Sequence, residues 1–162
     1  MIAVNQAYQR PLAAATKPAP AANPVQLVVF SLGTQVLALP VGQVREVLRF
    51  SPITPLPKAP AFVEGVLHLR GRVLPVADLR RRLDLPATER NDHTRIVVLR
   101  KRIPLGLIVD AVQEVLTVPA EAIQQLPAQG GGVLRNEYVA GVARTGERLI
   151  VLLNVAALFP EE

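Results

Sequence analysis

Two stretches of this chain repeat one another, and the repeat limits the folds open to it more than any other feature. Val41-Gly-Gln-Val-Arg-Glu-Val-Leu48 and Val109-Asp-Ala-Val-Gln-Glu-Val-Leu116 agree at five of eight positions. Each follows two short apolar runs joined by a turn: Val25 to Phe30 and Gln35 to Leu39 before the first, Arg95 to Leu99 and Pro104 to Ile108 before the second. Farther on, Gly65-Val66, the Arg70-Gly71-Arg72 turn, Val73 to Val76, and Asp78 with a short helix are matched by Gly141-Val142, the Thr145-Gly146-Glu147 turn, Arg148 to Leu153, and Asn154 to Leu158. Chance similarity among Val-rich strands is the competing explanation. Recurrence of the same elements in the same order favours duplication, with a period longer than that of small solenoid repeats. The expectation is two similar small β-barrels, from halves at about residues 25–87 and 94–159. Each half is near the size at which burial is marginal, so the two should bury apolar surface against each other.

Composition supports a mainly β fold. Half of the 162 residues are apolar, drawn mostly from Val, Leu, Ala and Ile, with few aromatics. Short β-branched runs favour buried strands over long helices. Cysteine is absent, which removes disulfides, thiol nucleophiles and thiolate metal sites. The formal charge of +5 raises the question of nucleic acid or an anionic surface. Only Arg80-Arg81-Arg82 and Arg100-Lys101-Arg102 are concentrated, and no aromatic residues alternate with them as base stacking on single strands requires. No apolar stretch approaches the roughly 18 residues of a membrane span. No charged region followed by an apolar one opens the chain, so the expected location is cytoplasmic.

Residues 1–24 are rich in Ala and Pro and read as a disordered tail, and 160–162 as a short C-terminal one. Val41 to Leu48 is ambiguous: its apolar spacing suits a helix while its β-branched content argues for extension, and either way Arg45 and Glu46 are exposed. Ser51 to Pro60, with four prolines, must be an irregular connector. Gly65 to Leu83 packs strand, glycine turn, strand and helix into one unit with Arg70 at its lip, and the helix runs from Ala77 to Leu85, ended by Pro86. Thr88 to Thr94 is a polar linker. Within Val118 to Leu126, Pro119-Ala-Glu-Ala-Ile-Gln-Gln is expected to nucleate a short helix with the proline at its first position, followed by a mobile loop at Gly130 to Gly132.

Chemistry is scarce. His68 sits in a strand and His93 in the linker. The aspartates Asp78, Asp84, Asp92 and Asp110 are scattered, with no metal-ligand spacing among them. Neither a phosphate loop nor a dinucleotide fingerprint is present. Asp78 and Asp110 are expected to accept backbone N–H bonds at a helix or turn. The expectation is no catalysis, no cofactor and no metal.

Several motifs then combine in one order. Val44-Arg-Glu-Val47, Pro60-Ala-Phe-Val-Glu-Gly-Val66, Leu69-Arg-Gly-Arg-Val-Leu-Pro-Val76 with Asp78-Leu79, Gly106-Leu-Ile-Val-Asp110 with Val112 and Val115, and Tyr138-Val-Ala-Gly-Val142 together resemble the CheW-like adaptor domain of bacterial chemotaxis systems, over about Val25 to Phe159. The resemblance implies two five-stranded SH3-like barrel subdomains packed together with a few short helices. It also implies a noncatalytic scaffold that couples the cytoplasmic tip of methyl-accepting chemoreceptors to a CheA-type histidine kinase, associating with membrane only through receptors. By motif, Val44, Glu46, Gly65, Arg70 and Val112 would serve receptor binding, with Gly65 keeping the groove wall close and Arg70 as polar anchor; the kinase-binding residues stay unassigned. Each has a structural alternative: Val44 core, Glu46 and Arg70 solvated, Gly65 a turn. The turn arginine occurs in one copy only, which suits a functional role. The alternative function, motivated by charge, is a basic small-barrel nucleic-acid binder.

Overall fold

The computed structural model describes residues 24–58, 62–125 and 136–160. The N-terminal tail through residue 23, Pro60 and Ala61 of the second motif, the Gly130 to Gly132 loop and the last two residues lie outside the described residues. Among the described residues twelve strands form two sheets. The first joins β1 (Pro24–Leu32) and β2 (Gln35–Pro40) to β9 (Ala111–Pro119), β10 (Ile123–Gln124), β11 (Val139–Thr145) and β12 (Arg148–Leu153), in the order β10-β11-β12-β2-β1-β9. The second joins β3 (Val44–Arg49), β4 (Thr54–Pro55), β5 (Val63–Leu69) and β6 (Arg72–Asp78) to β7 (Arg95–Leu99) and β8 (Leu105–Val109), in the order β3-β7-β8-β6-β5-β4. The fold is mainly β in two packed units, as expected. Each sheet has six strands, of which β4 and β10 are two residues long.

The units are not the two halves of the sequence. Read from opposite ends, the two strand orders correspond, with β1-β2 matching β7-β8, β3 matching β9, and β4-β5-β6 matching β10-β11-β12. Each half therefore contributes its leading hairpin to the sheet made by the rest of the other half. The expectation that each half closes its own barrel is corrected: β2 pairs in parallel with β12 through Leu37 and Ala38, and β8 with β6 through Gly106, Leu107 and Ile108. Alternating apolar residues specify a buried strand but not its neighbour, which is why sequence periodicity did not reveal the exchange.

The exchange organises the core. Leu27, Val29, Ala38, Ile150 and Leu152 fill the first unit, and Leu67, Leu74, Val76, Ile96 and Val98 fill the second. A third and larger cluster lies between the units, where Phe30, Leu37 and Leu39 of one sheet meet Leu99, Leu107 and Val109 of the other, with Leu79, Tyr138, Leu158 and Phe159. Each such side chain contributes about 1.5–3 kcal/mol when fully buried, so this seam outweighs any surface ion pair in holding the units together.

Local conformation followed partners where sequence was ambiguous. Val41–Gln43 is one 3-10 turn and Val44–Arg49 is strand, because β3 pairs with β7. The expected helix over Val118 to Leu126 is corrected: Val118 is buried and pairs with Val25, which extends β9 to Pro119, and only Ala120–Ala122 makes a 3-10 turn. The expected helix from Ala77 to Leu85 shrinks to α1 (Leu79–Arg82), with Asp78 as its N-cap accepting from the Arg80 N–H at 3.0 Å. The closing helix is α2 (Val155–Leu158), capped by Asn154.

Asp110, between β8 and β9, fastens the crossing. Its carboxylate accepts from the Gly33 N–H at 2.7 Å and from Arg80 Nε at 2.9 Å and Nη2 at 2.6 Å. One carboxylate thus ties the β1–β2 turn of the first sheet to the helix that follows the second. The hydrogen bond from Arg80, and secondarily the Gly33 N–H, hold Asp110 below the usual carboxylate range against opposing burial. Arg90 does the same to Glu64, gripping both its oxygens at 2.7 Å and reaching Asp78 at 3.0 Å. A carboxyl depressed in the folded state contributes stability that is present above its unfolded pKa, near 4, and lost as pH falls through the folded value. Urea unfolding should therefore show stability falling as pH drops below about 4. Asp110→Asn should lower stability at neutral pH by about 2 kcal/mol and flatten the acid fall. An unchanged acid profile in that variant would show that the Asp110 cluster contributes nothing.

Candidate functional site

The second strand pair of the second unit turns at Arg70-Gly71, with Leu69 opposite Arg72. Both central residues have positive φ, 50° at Arg70 and 78° at Gly71, as a type I′ hairpin turn requires. Glycine adopts this backbone without penalty; arginine does so at a cost of about 1–3 kcal/mol, and such strain gathers at functional positions. The turn projects Arg70 into water, its side chain 66% exposed, where Nη2 donates to Glu46 Oε2 at 2.7 Å.

Glu46 is aimed by an irregularity in β3. Val44 pairs with Leu99 and Glu46 with the next residue, Val98, so Arg45 is the extra residue of a bulge. Before it, Val44 packs in the seam cluster; after it, Leu48 packs against the interior of the second unit. Glu46 stands where the strand changes allegiance, beside an open cleft of about 350 Å³. The cleft has apolar walls from Leu69, Val73 and Ile103, with Val73 57% and Ile103 69% exposed, and a charged rim of Arg45, Glu46, Arg70 and Arg72.

The predicted site residues thus divide. Glu46 and Arg70 come together as an ion pair at the cleft. Gly65 lies in β5 of the same hairpin, where a Cβ would fall 2.2 Å from the Thr54 carbonyl oxygen, so a side chain there would push β4 off the sheet. Val44 is 8% exposed in the seam, which matches its structural alternative. Val112 lies in β9 of the other sheet, half-buried against the same seam cluster and opposite Phe30. The structure does not bring Val112 to the Glu46–Arg70 pair. The cleft residues Arg45, Arg72, Val73 and Ile103 were missed, although the alternation of Val73 with buried Leu74 was a usable signal; the bulge that exposes Arg45 had none.

The first unit repeats the arrangement. Gln113 is the extra residue of a bulge against β1, after which Glu114 pairs with Val29. Arg148 Nη1 donates to Glu114 Oε2 at 2.5 Å and its Nη2 to Gln113 Oε1 at 3.0 Å. Here the arginine follows the turn, at the place of Arg72, and Gly146 with φ 60° occupies the place of Arg70. The expectation that the turn arginine belongs to one copy holds for its position, but the Glu–Arg pairing belongs to both.

Half of the two strongly basic runs is bound within the chain. Arg80 is taken by Asp110 and the Pro86 carbonyl, Arg82 by the Leu158 carbonyl and Tyr138 hydroxyl, and Lys101 by the Phe159 carbonyl. Arg82 also lies over the Phe62 and Tyr138 rings. Among the described residues no three His, Cys, Asp or Glu side chains come together as metal ligands, His68 is solvent-exposed, and no helix is long and apolar enough to cross a membrane.

Two substitutions separate packing from function. Gly65→Ala should destabilise the chain by about 1–3 kcal/mol, more than Gly141→Ala, where the nearest contacts would be 3.1 Å. Arg70→Ala should change the free energy of urea unfolding by no more than an exposed pair is worth, about 0–1 kcal/mol. A large loss on Arg70→Ala would make the arginine structural.

Comparison with known proteins agrees with these features. The family model described as CheW-like domain matches residues 26–162. The chain is 38% identical to a probable chemotaxis protein CheW of Rhizobium etli over 137 residues, covering 84% of this chain and 88% of that protein. It is 38% identical to chemotaxis protein CheW of Rhizobium meliloti over 138 residues, covering 85% and 88%. The crystal structure of the scaffolding protein TtCheW from Thermoanaerobacter tengcongensis superposes with a TM-score of 0.78 at 30% identity, over 91% of this chain and 96% of that one. The chain belongs to the CheW-like family.

Proposed function

We propose that this protein is a noncatalytic adaptor of chemotaxis or chemotaxis-like two-component signalling, holding the helical tip of a chemoreceptor beside a CheA-type histidine kinase in the cytoplasm. The observation that carries the reading is the Glu46–Arg70 pair. In a CheW-like chain, an arginine held at unfavourable φ projects from a rigid hairpin beside an apolar cleft. An amphipathic helix laid on such a surface would bury apolar side chains against Val73 and Ile103 and place polar ones at the charged rim. Gly65 acts indirectly, by letting β4 close on β5, and Val44 and Val112 act by setting the seam between the units. The pair is too exposed to matter much for folding, which leaves recognition as its use.

The nucleic-acid alternative finds no support. Phosphate tracking needs unpaired cations along a groove, and Arg80, Arg82 and Lys101 of the two basic runs are bound to acceptors within the chain.

The test is co-purification of the full chain with a CheA-type kinase and a receptor cytoplasmic fragment. Wild type should retain both. Arg70→Glu and Glu46→Lys should each weaken receptor retention by about tenfold or more, corresponding to one lost charge-assisted contact, while thermal midpoints stay near wild type. Retention of neither partner by wild type would remove the adaptor reading, and undiminished receptor retention by both variants would remove the site.

A further inference from the structure

At the far end of β3, away from the Glu46–Arg70 cleft, Arg49 stands directly opposite Arg95 of β7 in antiparallel register. Like charges directly opposite one another destabilise a sheet, and a carboxylate usually relieves them. None does so here. Arg49 makes no hydrogen bond or ion pair with a described residue, so its whole guanidinium fork is available. Arg95 commits only Nη1, to the carbonyls of Asp92 at 2.8 Å and Thr94 at 2.9 Å, which leaves Nε and Nη2. Asn91 Oδ1 already accepts from the His93 N–H at 2.8 Å, while its amide NH2 makes no hydrogen bond with a described residue and so adds two donors.

These three residues line an open cleft of about 640 Å³, within the range of small-ligand sites. Its far wall is Arg90, fixed by Glu64 and Asp78 and stacked 5.0 Å over the Phe50 ring. Arg90 gives the cleft a rigid side, with most of its donors committed to Glu64 and Asp78. The sole acidic side chain in the lining, Asp92, pairs with none of the arginines. The cleft therefore presents a surplus of donors around a repulsion that nothing within the chain cancels.

We propose that this cleft binds the phosphate group of a small molecule, either inorganic phosphate or a phosphomonoester. A tetrahedral dianion accepts from two guanidinium forks at once and offsets both charges, whereas a single carboxylate can fully engage only one. The site shares no lining residue with the Glu46–Arg70 cleft, and its success or failure does not bear on the adaptor reading.

Arginine Nε–Hε NMR spectra of the full chain, titrated with inorganic phosphate, pyrophosphate and glycerol phosphate at ionic strength held constant with sodium chloride, test it. Saturable shifts are expected at Arg49 and Arg95 and none at Arg70 or Arg148. Arg49→Gln and Arg95→Gln should each weaken binding by about tenfold or more. Tighter binding of glycerol phosphate than of the free ion would identify an esterified ligand; the reverse order would identify the free ion. Without phosphate, Arg49→Gln should hold or raise the thermal midpoint, since it removes a like-charge contact at an exposed site, and the phosphate-induced rise seen in wild type should disappear. Shifts that do not saturate, or an Arg49→Gln variant with full affinity, would overturn the proposal.

Discussion

Everything in this molecule depends on the exchange of hairpins between its two sheets. Because β1-β2 and β7-β8 each complete the other half's sheet, neither unit is built from one half of the sequence: the first sheet takes strands from both ends of the chain, and the second is the continuous segment between them. The crossing points are short and anchored: the Asp110 N–H donates to the Ser31 carbonyl at 3.1 Å, and the Arg100 N–H donates to the Gln43 carbonyl at 2.8 Å. Separating the units would mean breaking these anchors and exposing the seam cluster around Phe30, Leu107 and Phe159. Burial on that scale is worth many times an exposed ion pair. A single cooperative folding unit follows, despite the sequence reading as two.

The same economy governs the charges. A chain with a formal charge of +5 looks at first like a partner for polyanions, yet its densest basic segment is largely spent on internal order. Arg80 reaches across to Asp110, Arg82 holds the end of α2 through the Leu158 carbonyl, and Arg90 binds the polar linker to Glu64 and Asp78. Arginine suits this work because its planar fork makes several hydrogen bonds at once while its stem covers aromatic rings. The cations left without a partner among the described residues include Arg49 and, at the rim of the cleft, Arg45 and Arg72.

Much of this was legible in the sequence, and the failures have physical causes. Strand content, the turns at Gly33 and Gly71 and the capping role of Asp78 all follow from local chemistry, and the matched motifs identified the family; that Asp110 would accept a backbone N–H was also expected, but its partner, Gly33, is supplied by the fold. The sheet partners did not, because apolar alternation in β2 and β8 is the same whether the neighbour is near or distant in sequence. The expected helix after Val118 failed for a related reason: pairing with β1 overrode a local proline signal. The bulges at Arg45 and Gln113 left no trace in composition, so Glu46 could be singled out as a site residue but the cleft it borders could not. Val112 was grouped with Glu46 and Arg70 by motif alone, and the fold places it across the seam.

The near symmetry of the two units makes their one clear difference informative. Both carry a bulge followed by a glutamate, Glu46 or Glu114, and both bring an arginine to it from the neighbouring hairpin. In the first unit Gly146 takes the positive-φ position and Arg148 pairs from the strand. In the second, Arg70 itself occupies the strained position, although Arg72 stands where Arg148 stands and could have paired without strain. An ion pair this exposed returns at most about 1 kcal/mol, no more than the backbone strain of about 1–3 kcal/mol that it accompanies. Folding stability therefore does not account for an arginine at this turn. The recognition role proposed above does: it would use a cation displaced one step outward, to the lip of an apolar cleft, where a partner could reach it.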